Sequence, residues 1–267
     1  MPASRSASRD IKRTPRRRRW PLILLGLIVL CGAAIYALPA SFAARFMPPY
    51  VQAEDFSGSL LHGAAGKIRV NARDAGAIEW QVHPLALLRL ALVADVHWVK
   101  VGFLIDGVAE LKTAGFAAHD MTGGGPIEDL QTLGFAAGWK GTAHLTFSEI
   151  KGNFQRLETA VGKIDVANIS SVSVAAGSDL GSYELQLGPQ SIAPDGSMSA
   201  TLNDTGGPVE AQAQIRFSPA TRTGMLSGTI KERAEASPAL RNQLSNLSQL
   251  RPRDSSGRFP VELEFTF

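Results

Sequence analysis

The sequence predicts a mainly β protein: a single N-terminal transmembrane helix, then an antiparallel, open β-sheet domain with room to curve, and one short helix near the C-terminus. Three observations carry this reading. Trp20 through Ala44 holds no charged side chain over 25 consecutive positions. Beyond Gly76, apolar and polar residues alternate at period two in one segment after another, the signature of half-buried strands. Between those segments stand Gly-Pro, Asp-Gly and Gly-Gly-Pro pieces, which is turn chemistry.

The apolar stretch Trp20 to Leu38, WPLILLGLIVLCGAAIYAL, is read as a span. Its nineteen residues, as a helix rising about 1.5 Å each, reach about 28 Å, close to the ~30 Å hydrocarbon core of a bilayer. A helix satisfies its own backbone hydrogen bonds, which lipid demands. The candidate anchor side chains are Trp20, Leu22, Ile23, Leu24, Leu25, Leu27, Ile28, Val29, Leu30, Ile35 and Leu38. Upstream lie eight cations, including the run Arg16, Arg17, Arg18 and Arg19, against the single anion Asp10. Positive flanks stay in the cytoplasm, so the rest of the chain is expected outside, in the periplasm of a bacterial cell. The organisation that follows is a basic cytoplasmic tail (1–19), a transmembrane helix (20–38), an extended linker (39–55) and an exported β domain (56–267).

A cleaved signal is the alternative to an anchor, with Ser41-x-Ala43 as a small-residue processing site. Signal peptides have an apolar region of about 7–15 residues, and Leu22 to Leu38 already runs for 17, which favours an uncleaved anchor. Cys31 follows Leu30, where a lipoprotein site has a small residue. As the only cysteine it excludes an intramolecular disulfide, so the exported domain is expected to be held by its core. The basic run can also read as a nucleic-acid patch, but its direct contact with the span favours topology.

Charge differs on the two sides. The chain has 27 Lys and Arg against 24 Asp and Glu; setting aside the first nineteen residues, with eight cations and one anion, leaves 19 against 23, a net of about −4. The pI of about 9.2 is therefore a property of the tail. Nothing in the exported part argues for nucleic acid, since its aromatics are not interleaved with basic runs. The membrane itself is the expected partner of the tail and span.

In chain order, Pro48-Pro49 cannot continue a helix and favours extended backbone. Glycines 58, 63 and 66 around short apolar pieces predict strands joined by tight turns. Ile78, Trp80 and Val82 oppose Glu79, Gln81 and His83. Pro84 ends that strand, Pro84–Arg89 can form one helical turn with proline at its start, and Leu90 to Val99 resumes as a strand. Alternation returns at Ala143–Ser148, Ser182–Leu187, Val209–Phe217 and Phe259–Phe267. One segment outside the span reads as a helix: Ser237 as cap, Pro238 first, then Leu240, Leu244 and Leu247 at i, i+4, i+7, expected to pack over an end or edge of the sheet.

Catalytic motifs are missing. There is no phosphate loop, dinucleotide fingerprint, G-x-S-x-G elbow or H-E-x-x-H pair. Histidines 62, 83, 97, 119 and 144 stand singly, without zinc-site spacing. His83 and His144 are expected on solvated strand faces. Gly123-Gly124-Gly125-Pro126 reads as a flexible loop, and Asp106, Glu110 and Asp120 make no recognisable acid/base pair. No cofactor and no metal is expected.

Four segments resemble a known family, protein N of the bacterial type II (general) secretion machinery. Phe56 to Ala65, FSGSLLHGAA, with Gly58 and Gly63, is similar to its early "SGxLWxGxA" piece, with Leu61-His62 where the family has Leu-Trp. Ile78 to Leu88, with Trp80, Pro84, Leu85, Leu87 and Leu88, resembles "LxWRLRPLALL", with Gln81 and His83 at the arginine positions. Leu187-Gly188 through Ser197 resembles its glycine-rich hairpin. Pro238, Leu240 and Leu244, followed by Asp254 to Phe259 with Gly257, resembles its closing "PALRxxLxxL…DxxGRY" signature. The resemblance implies a non-enzymatic, bitopic inner-membrane accessory of the secretion machinery, whose partners are other secretion-platform proteins. Such domains also resemble the AsmA-like, lipid-handling group, which implies the alternative that a concave apolar sheet face binds lipid or amphiphile. A third reading, an outer-membrane barrel, rests on the terminal Val261-x-Leu263-x-Phe265-x-Phe267; it needs strands of ~9–11 residues and aromatic girdles, and most strands here look too short.

Overall fold

A computed structural model describes residues 36–133, 138–218, 221, 223–250 and 252–266. Among them no helix is long and apolar enough to cross a membrane. Of the anchor expected from Trp20 to Leu38, the part up to Ile35, with the Arg16–Arg19 run, lies outside the described residues.

The described chain is one antiparallel sheet of 13 strands in which spatial order is sequence order. The strands are β1 (Val51–Gly58), β2 (His62–Val70), β3 (Arg73–Val82), β4 (Ala91–Lys100), β5 (Phe103–Lys112), β6 (Gly115–Pro126) and β7 (Trp139–Gly152). They continue as β8 (Leu157–Ser171), β9 (Val174–Leu187), β10 (Met198–Gly206), β11 (Val209–Ser218), β12 (Thr223–Glu232) and β13 (Phe259–Thr266). A helix, α1 (Pro238–Leu250), joins the last two. Because each strand pairs only with its chain neighbours, β1 and β13 are free edges and the sheet does not close. That removes the barrel reading, although β7, β8 and β9 reach 14, 15 and 14 residues, longer than the sequence suggested.

Register turns the period-two patterns into two faces. Ile78, Trp80 and Val82 sit opposite Trp98, Val96 and Ala94. The apolar row continues through Ile105 to Gly123, Leu145, Ile164, Leu185, Leu202, Ala213, Gly228 and Val261. The other face carries Glu79, His97, Asp106, Thr122, Thr146 and Lys163 as successive neighbours. The glycines expected to form a loop at 123–125 are instead strand residues of β6. Large neighbours take the space: a Cβ on Gly123 would fall 2.4 Å from the Leu104 carbonyl oxygen, and one on Gly125 2.9 Å from the Phe103 ring.

A one-sided sheet needs cover, and it comes from connections. The stretch expected as a linker holds a 3₁₀ helix at Ala40–Phe46 and then β1 from Val51. Ala40 is buried, and a Cβ on Gly63 would fall 2.9 Å from its methyl, 2.6 Å from the Trp80 ring and 2.6 Å from the Ser59 carbonyl oxygen. Only glycine fits there. Pro84–Arg89 forms a 3₁₀ turn, and a third 3₁₀ helix, Ile127–Leu133, which the sequence did not reveal, places Ile127 and Leu130 against Phe103, Ala143 and Trp139.

The C-terminal cover is α1. Ser237 caps it, its Oγ accepting from the Leu240 amide at 3.2 Å. Leu240 and Leu244 are buried with Val209, Ala211 and Phe259, so the helix lies over the sheet face at its last strands. A turn at Asp254–Gly257 returns the chain to β13: the Asp254 carboxylate accepts from the Ser256 and Arg258 amides at 2.9 and 2.8 Å, and Gly257 takes a φ of +76°. Arg253 then stacks over the Phe259 ring at 4.2 Å and donates to Glu232.

This packing makes a contrast that denaturant titration followed by tryptophan fluorescence can measure. Leu244→Ala is expected to lower the unfolding free energy by about 2–5 kcal/mol, since it removes a buried side chain packed with Val209, Ala211 and Phe259. Leu88→Ala, at a side chain 84% exposed, is expected to change it by less than about 0.5 kcal/mol.

Candidate functional site

Two surfaces are built into the sheet. The first is an apolar trough on the core face beside α1. Next to the helix a hollow of about 400 Å³ is walled by Leu180, Tyr183, Ile230, Leu240, Leu244 and Phe259. It shares Leu180, Tyr183, Ile230 and Leu263 with a second hollow of about 350 Å³ that reaches Trp139, Leu202 and Leu226. The strands place these side chains because apolar residues recur every second position on β9 to β13, and the helix covers only part of the row. Toward β13 the wall opens: Leu263 is 57% exposed and Phe265 40%.

Tyr183 is the polar point of this trough. Its hydroxyl donates to the Leu180 carbonyl at 2.6 Å. Burial first, then the Asp204 and Asp179 charges, push its phenol up to about 12, with Arg233 opposing. It therefore stays neutral at physiological pH and presents ring, not charge. Asp204 is held by Arg233 and by the Ala211 amide at 3.2 Å.

The second surface is a hollow of about 610 Å³ on the solvated face, lined by His62, Glu79, Gln81, Asp95, His97 and Asp106. The sequence presented the histidines singly, but three of them, His83, His97 and His119, lie beside carboxylates across the strands. His97 stands directly opposite Asp106 and donates to it from Nδ1. His83 Nε2 donates to Asp95 at 2.8 Å, and His119 lies 3.8 Å from Glu110, which also meets Lys112 at 2.8 Å. Asp106 and Glu110 are thus ion-pair partners, which sequence spacing could not show because the pairs are cross-strand. His144 is on the solvated face. Among the described residues no group of three or more His, Cys, Asp or Glu is placed to hold a metal ion.

The residues singled out from sequence fall into two groups rather than one site. Gly58, Gly63 and Trp80 meet at the β1–β2 turn, where the Trp80 indole donates to the Leu60 carbonyl at 2.9 Å. Pro84, Leu85, Leu87 and Leu88 form the neighbouring 3₁₀ turn. Pro238, Leu240, Leu244 and Gly257 belong to the α1 connection at the opposite end of the sheet.

The described residues thus form an open antiparallel sheet with one apolar face and two free edges, its histidines and carboxylates paired across strands. The chain belongs to the type II secretion system protein N family, whose family model matches residues 49–262. That match runs from just before β1 into β13, and it ties the protein to type II secretion. No curated protein and no solved structure matches the chain.

The His97–Asp106 pair sets a pH dependence. The hydrogen bond to Asp106 first, with the charges of Asp106 and Glu79, holds the imidazole pKa above 6.5, against some desolvation. A folded-state pKa raised above the unfolded value stabilises below the unfolded pKa, and that increment is lost as pH rises through the folded one. Asp106→Asn is expected to move the His97 titration down toward 6.5 and to flatten the stability profile over that window, as read by NMR titration of the ring signals.

Proposed function

We propose that the protein is a non-enzymatic, bitopic inner-membrane accessory of the type II secretion machinery, its sheet standing in the periplasm as a docking surface for other platform proteins. Family membership across the sheet carries this reading. Charge asymmetry around Trp20–Leu38 supports the topology. Free edges support the docking, because an exposed edge strand offers unpaired N–H and C=O groups to a partner strand. The β13 edge is the more open of the two, since the 3₁₀ helix at Ala40–Phe46 packs on β1.

A second reading is favoured by one observation, the apolar trough running out to exposed Leu263 and Phe265. In this reading an acyl chain lies on the sheet beside α1, in the manner implied by the AsmA-like resemblance.

In-cell photo-crosslinking separates the two. A crosslinker at Glu264 on β13 and one at Gln81 on the solvated face are expected to capture other secretion-platform proteins. A crosslinker at Leu263 yielding lipid adducts alone, with no platform protein from any position, would replace the docking reading with the lipid one. Secretion of the exported substrates is expected to fall in cells lacking the protein, and normal export in such cells would overturn the first reading.

A further inference from the structure

The two ends of the sheet are different. The turns at one end are β1–β2, β3–β4, β5–β6, β7–β8, β9–β10 and β11–β12, and the chain enters the domain there: the Leu60 amide donates to the Leu38 carbonyl at 2.8 Å, and Pro39 bridges Ser59. Leu61 in turn accepts from the Val82 amide at 2.7 Å, so the entry point adjoins the 3₁₀ turn Pro84–Arg89. In a 3₁₀ helix residues three apart lie one above the other. Here those residues are Leu85 and Leu88, 77% and 84% exposed. Leu90 follows at 83% exposure in a left-handed conformation, φ +56°, that suits glycine or asparagine better than leucine. None of the three contributes to the core.

The apolar row continues from that turn. Leu92, Leu111 and Phe116 are successive cross-strand neighbours, all partly exposed, and Phe154 projects from the β7–β8 turn at 66% exposure. Cations accompany it in the same three turns: Arg89, Lys112 and Arg156. The anions nearby are engaged, Glu110 by Lys112 and Glu158 by Asn153 at 2.8 Å each. Contiguous exposed apolar surface rimmed by cations marks an interaction site, and leucines with arginine or lysine beside them suit the boundary between acyl chains and phosphates.

We propose that this end of the sheet docks on the outer face of the membrane, with Leu85, Leu88, Leu90 and Phe154 in the interface and Arg89 and Arg156 at the phosphates, Lys112 being taken up by Glu110. The occupant is a lipid surface because of where the apolar stretch Trp20–Leu38 delivers the chain. A span ending at Leu38, itself hydrogen-bonded to the β1–β2 turn, leaves no length in which the Pro84–Arg89 turn could stand far from the bilayer. Tyr36, 66% exposed, falls at the level expected of an interfacial aromatic. The sheet is then held edge-on by two contacts, a span and a greasy rim, which fixes its orientation and turns α1 and the opposite turns away from the membrane. The proposal rests on the anchor reading of the preceding subsection.

The test uses the full-length chain with Cys31→Ser, reconstituted in phosphatidylethanolamine–phosphatidylglycerol vesicles, with spin labels introduced through Leu88→Cys, Phe154→Cys or, at the opposite end, Val172→Cys. Collisional relaxation by oxygen is expected to exceed that by a water-soluble nickel chelate at positions 88 and 154, with the ratio several-fold above that at position 172. Equal, nickel-dominated relaxation at 88 and 172, in protein that resists alkaline carbonate, would overturn the docking and leave the anchor. Exclusion of both reagents at 88 would mean a protein covers the rim and would overturn it too. Release of the unlabelled protein by carbonate would remove the anchor reading and the docking together.

Discussion

The described fold depends on one antiparallel ladder in which each strand pairs with the strands before and after it. Such a ladder satisfies backbone groups pair by pair, needs no crossover, and can be lengthened hairpin by hairpin. It also leaves two unpaired edges and one apolar face with no second sheet to meet it. The remaining structure answers those two deficits.

The apolar face is covered piecemeal. Three connections lie over it: Ala40–Phe46 near β1 and β2, Ile127–Leu133 beside Phe103 and Ala143, and α1 over β9 to β13. Each buries a few large side chains and stops. What is left between the second and third of these is the trough bounded by Trp139, Leu180, Tyr183 and Leu226, and what is left at the far rim is the leucine-rich turn after β3. The same architecture thus supplies a core, a groove and an exposed apolar edge, and the differences among them are differences of cover, not of composition.

The family match ties this open sheet to type II secretion. Its polar face is laced with cross-strand ion pairs such as His97–Asp106 and Lys163–Glu184, and its β13 edge leaves backbone groups unpaired.

The sequence by itself determined the local features whose information is contained within a few residues. Period two in Ile78–Val82 and Val209–Phe217 dictates a strand with one greasy face, and Ser237-Pro238 with Leu240 and Leu244 dictates a capped amphipathic helix. The family was legible in the same short pieces, because each of them is a local turn or packing requirement. Tertiary structure decided what depends on partners distant in the chain. The glycine strip 123–125 resembled a loop until Phe103, Ile105 and Leu145 were placed across it, and Asp106 and Glu110 acquired histidine partners only through the register of β4, β5 and β6. The open sheet was expected from strands that look too short for a barrel, yet β7 to β9 are long enough; closure turns instead on whether β1 meets β13, some 200 residues apart in the chain. Local spacing cannot encode such a meeting; the accumulated twist and stagger of the intervening hairpins decides it.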